Sequence, residues 1–155
     1  MSATIMRFMA SHPIPYEVVE HTHAATSLQN AKAAHIDPHR IAKAVLLEGD
    51  ECMLAAVVPA DRRVHLGRLA ADVGKQLHLA GESDAGRLFW DCEPGAIPAL
   101  TLAYRVEMVW DDSLLESDDL YFEFGDHRQL VHVRTADLRS ILENMPHGSF
   151  SKRMV

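Results

Sequence analysis

The chain is poor in cysteine and has no glycine-rich phosphate loop, no long apolar run and no excess of positive charge. Two cysteines, Cys52 and Cys92, are too few for a disulfide framework and lack the Cys-x-x-Cys spacing of a zinc or redox site. The missing Walker and dinucleotide fingerprints remove the common nucleotide-binding classes. No apolar stretch approaches the roughly 20 residues that cross a bilayer, so no membrane partner is expected. Near the N-terminus, Ile5, Met6, Phe8 and Met9 are broken by Arg7, the pattern of a short amphipathic helix rather than a signal-peptide core. A reducing cytoplasm is the expected location. The formal net charge of −7 argues against broad affinity for phosphate backbones, though a local basic patch could still hold a nucleic acid.

What is there reads as one soluble domain. The 155 residues are 48% apolar and 24% charged, enough to bury a core without covalent staples. Apolar spacing predicts helices over 2–11 and 65–73, the second stopped by Gly74. Thr26 and Gln29 form a capping box ahead of a helix over 27–35, and Asp37-Pro38 starts a shorter one. A helix over 83–90 with Ser83 or Asp84 as cap, and one over 136–144 capped by Thr135, complete the set. Strands are predicted over 16–21, 106–110, 120–124 and 130–133, with a hairpin of 43–48 and 52–59 about Gly49-Asp50. Hairpins outnumber strand–helix–strand crossovers. The expected fold is α+β, a mixed, largely antiparallel sheet flanked by helices, with a core over about 14–144 and a polar, frayed tail over 146–155.

Lys43 lies among apolar neighbours in Ile41-Ala42-Lys43-Ala44-Val45. Such an ammonium either snorkels to water or faces something that needs a positive charge. Gly95, Ala96, Ile97 and Pro98 follow Pro94 in a loop whose backbone is tightly fixed. Gly125, Asp126 and His127 form a turn between two strands. Asp126-His127 reads as a dyad or as turn chemistry, and Cys92 as a nucleophile or a packed thiol. His21 and His23 share a strand face, but no further ligand motif supports a metal site; His21 could instead face a pocket. Trp90 and Trp110 read as core or rim aromatics. Arg62, Arg63, Arg68 and Lys75 read as a solvated face or as a local basic patch for a nucleic acid.

In this order and spacing, the lysine strand, the glycine–proline loop and the Tyr121-to-His127 segment resemble the YbaK/ProX-type aminoacyl-tRNA editing domains. These also occur as an insertion in bacterial prolyl-tRNA synthetases. The resemblance covers about 26–142. It implies a mixed, partly closed sheet and a hydrolase that cleaves the ester of mischarged aminoacyl-tRNA carrying a small amino acid, such as alanine, serine, threonine or cysteine. Lys43 takes the position of the catalytic lysine, Gly95 to Pro98 that of the substrate loop, and Gly125 that of a late-strand glycine. Asp126, His127 and His21 join as substrate-binding candidates. No metal or cofactor is implied. The expected partners are mischarged tRNA, bound by its acceptor end, and an aminoacyl-tRNA synthetase, with the protein a monomer or homodimer. The chain departs from the family pattern at Ala44, at the Gly-x-x-Pro spacing and at Ala99-Leu100, which bears on amino-acid specificity. A non-catalytic module that binds aminoacyl-tRNA or an amino-acid derivative is the alternative reading.

Overall fold

The computed structural model describes residues 1–154. Ser2 caps α1 (Ala3–Ser11), its hydroxyl accepting from the Ile5 N–H, and Ile5 and Met9 on one face are buried. β1 (Glu17–Glu20) leads to α2 (Ser27–Ala34), where Thr26 accepts from the Gln29 N–H as the capping box requires. A 3-10 turn over Pro38–Arg40 feeds β2 (Ala42–Gly49), which turns at Asp50-Glu51 into β3 (Cys52–Pro59). The hairpin pairs all eight residues of each strand, from Ala42 with Pro59 to Gly49 with Cys52.

β4 (Arg62–Val64) precedes α3 (Leu66–Val73), which ends on Gly74 in the left-handed conformation. β5 (His78–Leu79), α4 (Glu82–Leu88), β6 (Glu107–Asp111), β7 (Asp119–Glu123), β8 (Gln129–Arg134) and α5 (Thr135–Leu142) follow. α4 starts earlier than predicted: Gly81, not Ser83 or Asp84, occupies the cap and makes no side-chain cap bond. Thr135 is the first helical residue of α5 rather than its cap, since its hydroxyl donates to Ser117 O at 2.6 Å instead.

Five strands order as β5-β2-β3-β6-β9, the last being His147–Gly148, with β6 parallel to β3. Three more, β1-β8-β7, form an antiparallel sheet. A bridge from Ile41 to Tyr121 joins the two, and the sheets do not close on each other among the described residues. The expected partial closure is therefore absent; helices and 3-10 turns, rather than further strand pairs, cover the sheet faces.

The tail is not frayed. β9 (His147–Gly148) adds to β6, and β10 (Ser151–Arg153) pairs with β4. Phe150 between them is fully buried against Leu47, Val58, Leu69 and Val109, and its N–H donates to Asp111 at 2.9 Å. One anchoring aromatic is enough to order a segment whose average composition is polar. A larger core on the other face of β2 and β3 collects Leu46, Val57, Met108, Phe122, Phe124 and Leu138.

Candidate functional site

Side chains of β2 alternate between two faces. Ala42, Ala44 and Leu46 join the larger core, while Val45 and Leu47 join the smaller one, which puts Lys43 on the latter side. Lys43 is half-buried at the end of the strand. Its Nζ donates to Ala60 O at 3.3 Å and lies 3.9 Å from the Met154 sulfur. Burial lowers its pKa below the usual lysine value; Asp61 opposes that and Arg63 reinforces it. Asp61 is itself engaged by His39, at 2.9 Å. Lys43 thus carries a charge with a carbonyl and a thioether as its bonding partners.

The loop and the turn form a second assembly. Gly95 (φ 83°) and Gly125 (φ 99°) both adopt backbone that L side chains rarely tolerate. A Cβ on Gly125 would stand 3.1 Å from the Cys92 sulfur, so the turn needs glycine for space as well as for conformation. The Glu93 N–H donates to Gly125 O at 2.8 Å, stitching loop to turn. His127 completes the stitch: Nε2 lies 2.6 Å from Pro94 O and Nδ1 3.0 Å from Ala24 O. Both carbonyls can only accept, so the ring satisfies both at once only with a proton on each nitrogen. The ring is 7% exposed, and both nitrogens face backbone carbonyls. Asp126 accepts from the N–H groups of Arg128 (3.0 Å) and Gln129 (2.9 Å), the work of a turn former. His23 packs 5.3 Å from the His127 ring, beside a 350 Å³ surface depression lined by His23, Ala24, Gln29, Lys32 and Ala33.

No local pattern of residues marks what braces this assembly from behind. Asp91 accepts from the Thr4 N–H at 3.0 Å, the Thr4 hydroxyl at 2.8 Å, the Tyr104 hydroxyl at 2.6 Å and the Ser2 hydroxyl. Burial alone would raise its pKa, but these donors hold the carboxyl at about 2. Burial pushes the neighbouring Cys92 thiol up to about 11, which removes it as a nucleophile at neutral pH. Helix α1 is thereby tied to the loop, and Ser2 also gives its N–H to Phe124 O at 2.8 Å.

A buried acid was also missed. Glu123 is 6% exposed, and burial pushes it up to about 7. Its Oε1 accepts from the Asn30 amide, which leaves Glu123 Oε2 and Asn30 Oδ1 as buried acceptors without donors. A proton on the carboxyl supplies a donor that this acceptor-rich pair between β7 and α2 lacks. His21 Nδ1 lies 2.6 Å from Thr22 O, and its Nε2 is buried without a partner.

The structure therefore brings Gly95, Gly125, Asp126, His127 and the segment after His21 together. Ile97 and Ala96 of the loop are packed inward, with Ile97 against the larger core. Lys43 projects from the opposite face of β2, and no hydrogen bond or ion pair links it to the loop among the described residues. No cluster of three His, Cys, Asp or Glu side chains converges among those residues. Trp110 is core, its Nε1 donating to Leu142 O at 2.9 Å, whereas Trp90 is 68% exposed.

The fold is shared with solved structures of low sequence identity. A structure of hypothetical protein APE2540 superposes with a TM-score of 0.84 at 17% identity, over 96% of this chain and 99% of that one. One proposed to be a trans-editing enzyme for prolyl tRNA synthetase gives 0.82 at 19% identity, over 98% and 99%. A proposed signal transduction protein from Marinobacter aquaeolei VT8 gives 0.77 at 17% identity, over 97% of this chain and 31% of that one. No curated protein matches the chain. The model of the aminoacyl-tRNA editing domain family, however, matches residues 21–141, a span that takes in Lys43, the Gly95 loop and the His127 turn. On that match the chain belongs to the aminoacyl-tRNA editing domain family.

Proposed function

We propose that this protein is a trans-editing hydrolase that cleaves the ester between a small amino acid and the 3′ end of a mischarged tRNA. Water supplies the oxygen; the products are the free amino acid and a tRNA with its terminal hydroxyl restored. An aminoacyl ester is already activated, so a positioned water suffices where positive charge and N–H donors meet the developing oxyanion. The observation that carries the reading is Lys43, a half-buried ammonium whose partners in the fold are uncharged. From its face of β2 it is suited to hold the terminal phosphate or the ester carbonyl. The Gly95 loop and the His127 turn, stitched together on the other side of β2, hold the sheet rigid behind it. Cytoplasmic action beside a synthetase fits this role.

The test is a deacylation panel of mischarged tRNAs run with wild type and Lys43→Ala. The variant is expected to lose at least a hundredfold in rate while keeping its thermal midpoint, because loss of one oxyanion-stabilising group costs about that much. Deacylation that persists unchanged in Lys43→Ala removes the lysine from the mechanism. Binding without turnover across the whole panel would instead support a non-catalytic aminoacyl-tRNA module.

A further inference from the structure

The β4–β10 ladder has three cross-strand pairs, and two of them set cation opposite cation: Arg63 with Lys152 and Arg62 with Arg153. Like charges directly opposite each other cost stability, whereas opposite charges in the same positions add to it. Here none of the four is ion-paired with a carboxylate among the described residues. Arg62 turns back into the ladder, donating to the Ser151 hydroxyl at 2.6 Å and to Ser151 O at 2.9 Å. Arg63, Lys152 and Arg153 remain exposed. With His65 and Val64 they line a groove of about 340 Å³.

This concentration of positive charge stands out in a chain of net charge −7. It also has a direction. Arg63 lies close enough to Lys43 to help lower its pKa, and the Met154 sulfur that touches Lys43 follows directly on Arg153. Arg63 faces Lys152 across the ladder and lies on the side of Lys43, a row of cations rather than a single point. A row of cations that ends at a half-buried ammonium suits a polymer with one negative charge per unit better than a lone anion.

We propose that the β4–β10 ladder is a phosphate-backbone site for RNA, guiding the strand whose 3′ end reaches Lys43. The proposal rests on the editing reading and adds the surface by which the substrate is held. The bound phosphates would supply the counter-charge that the two cation pairs lack. Of the four basic residues grouped from the sequence, Arg62 and Arg63 belong to this ladder; the tail supplies the other half.

The experiment measures binding of unacylated tRNA by fluorescence anisotropy across a salt series, alongside deacylation. Lys152→Glu is expected to weaken binding at least tenfold and raise KM with kcat little changed, since the residue holds the backbone and not the ester. Its thermal midpoint should rise, because Arg63 then faces an acid. The double variant Arg63→Gln/Lys152→Gln should lower the slope of log affinity against log salt by about two. Arg87→Glu, on α4 and paired with Asp84 at 3.0 Å, carries the same charge change away from the ladder and should leave binding unaltered. Wild-type affinity and slope in both ladder variants, or equal losses in Arg87→Glu, would overturn the proposal. A wild-type protein that neither binds nor deacylates any tRNA would defeat the editing reading itself. Turnover with unaltered binding in the ladder variants would defeat only the groove.

Discussion

The loop end and the lysine end of the site are built by opposite means. Around Gly95 and His127, most polar groups are matched: Asp91 accepts from Ser2, Thr4, Cys92 and Tyr104, and His127 spans two carbonyls. Around Lys43, cations face cations across β4 and β10, and the ammonium rests on a carbonyl and a thioether. Satisfied buried groups give rigidity, because every departure from their geometry exposes a cost. Unsatisfied charge at a surface is a standing invitation to a ligand of the other sign. The difference teaches where to look for each property. Variants at the loop end should act on stability and shape, and variants at the lysine end on substrate binding and rate.

The strongest challenge to this division comes from Phe150, which lies at the lysine end yet is structural. Phe150→Ala should cost about 3–5 kcal/mol by opening a cavity among Leu47, Val58, Leu69 and Val109. Chemical denaturation would measure it, and a loss under 1 kcal/mol would show that the tail is not an integral part of the core.

Next in size is Glu123→Gln, which sharpens the account of the loop end. The carboxyl lies near 4.5 in an unfolded chain and about 7 when folded. Because the folded value is raised, the protonated pair contributes fully below about pH 4.5, and its contribution fades as pH rises through about 7. The fade amounts to something on the order of 3 kcal/mol. Glutamine keeps a donor and an acceptor without a proton to lose. Stability of the variant should match wild type at pH 4.5 and exceed it at pH 8. Parallel stability curves for the two proteins over that range would contradict a protonated Glu123.

Asp91→Ala should cost about 1–3 kcal/mol, since Tyr104 and Thr4 lose a charged acceptor. The wild-type carboxylate, held at about 2, contributes above pH 4 and fades only as pH falls through 2, opposite in sense to Glu123. Thermal melts of both proteins at pH 3 and 7 would check this. The smallest effect is Gly95→Ala, about 1–2 kcal/mol for a Cβ at φ 83°. There is room for the methyl, since its nearest neighbour, His127 Cε1, is 3.5 Å away. Rates on the deacylation panel that change as much in Gly95→Ala as in Lys43→Ala would erase the distinction between the two ends.

Local signals carried much of the fold. The capping box at Thr26 and the stop at Gly74 each act over a few residues, and the structure places both as the pattern requires; the hairpin turns one residue later than Gly49-Asp50, at Asp50-Glu51, with Gly49 paired to Cys52. The parallel pairing of β6 on β3 joins residues more than 50 apart, and no short-range pattern encodes it. The tail failed to read as ordered because Phe150 is one apolar residue among polar ones, and its partners lie far back in the chain. The site follows the same rule. Lys43 and the two glycines were visible because each breaks its local pattern. Asp91 and Glu123 were not, since a carboxylate in sequence looks the same whether it meets water, several donors or a single amide.

The placement of Phe150 also sets the order of events during synthesis. Domains are made from the N-terminus onward at about 5–20 residues per second. The smaller core has all its other walls by residue 109, yet its plug is residue 150. The face of β2 and β3 that bears Lys43 must therefore stay open while some forty further residues emerge. An exposed apolar strand face of that kind is a recognised aggregation hazard. Folding of this protein is thus a race that its last strand decides, and a nascent chain stalled before Phe150 is the form that a chaperone would have most reason to hold.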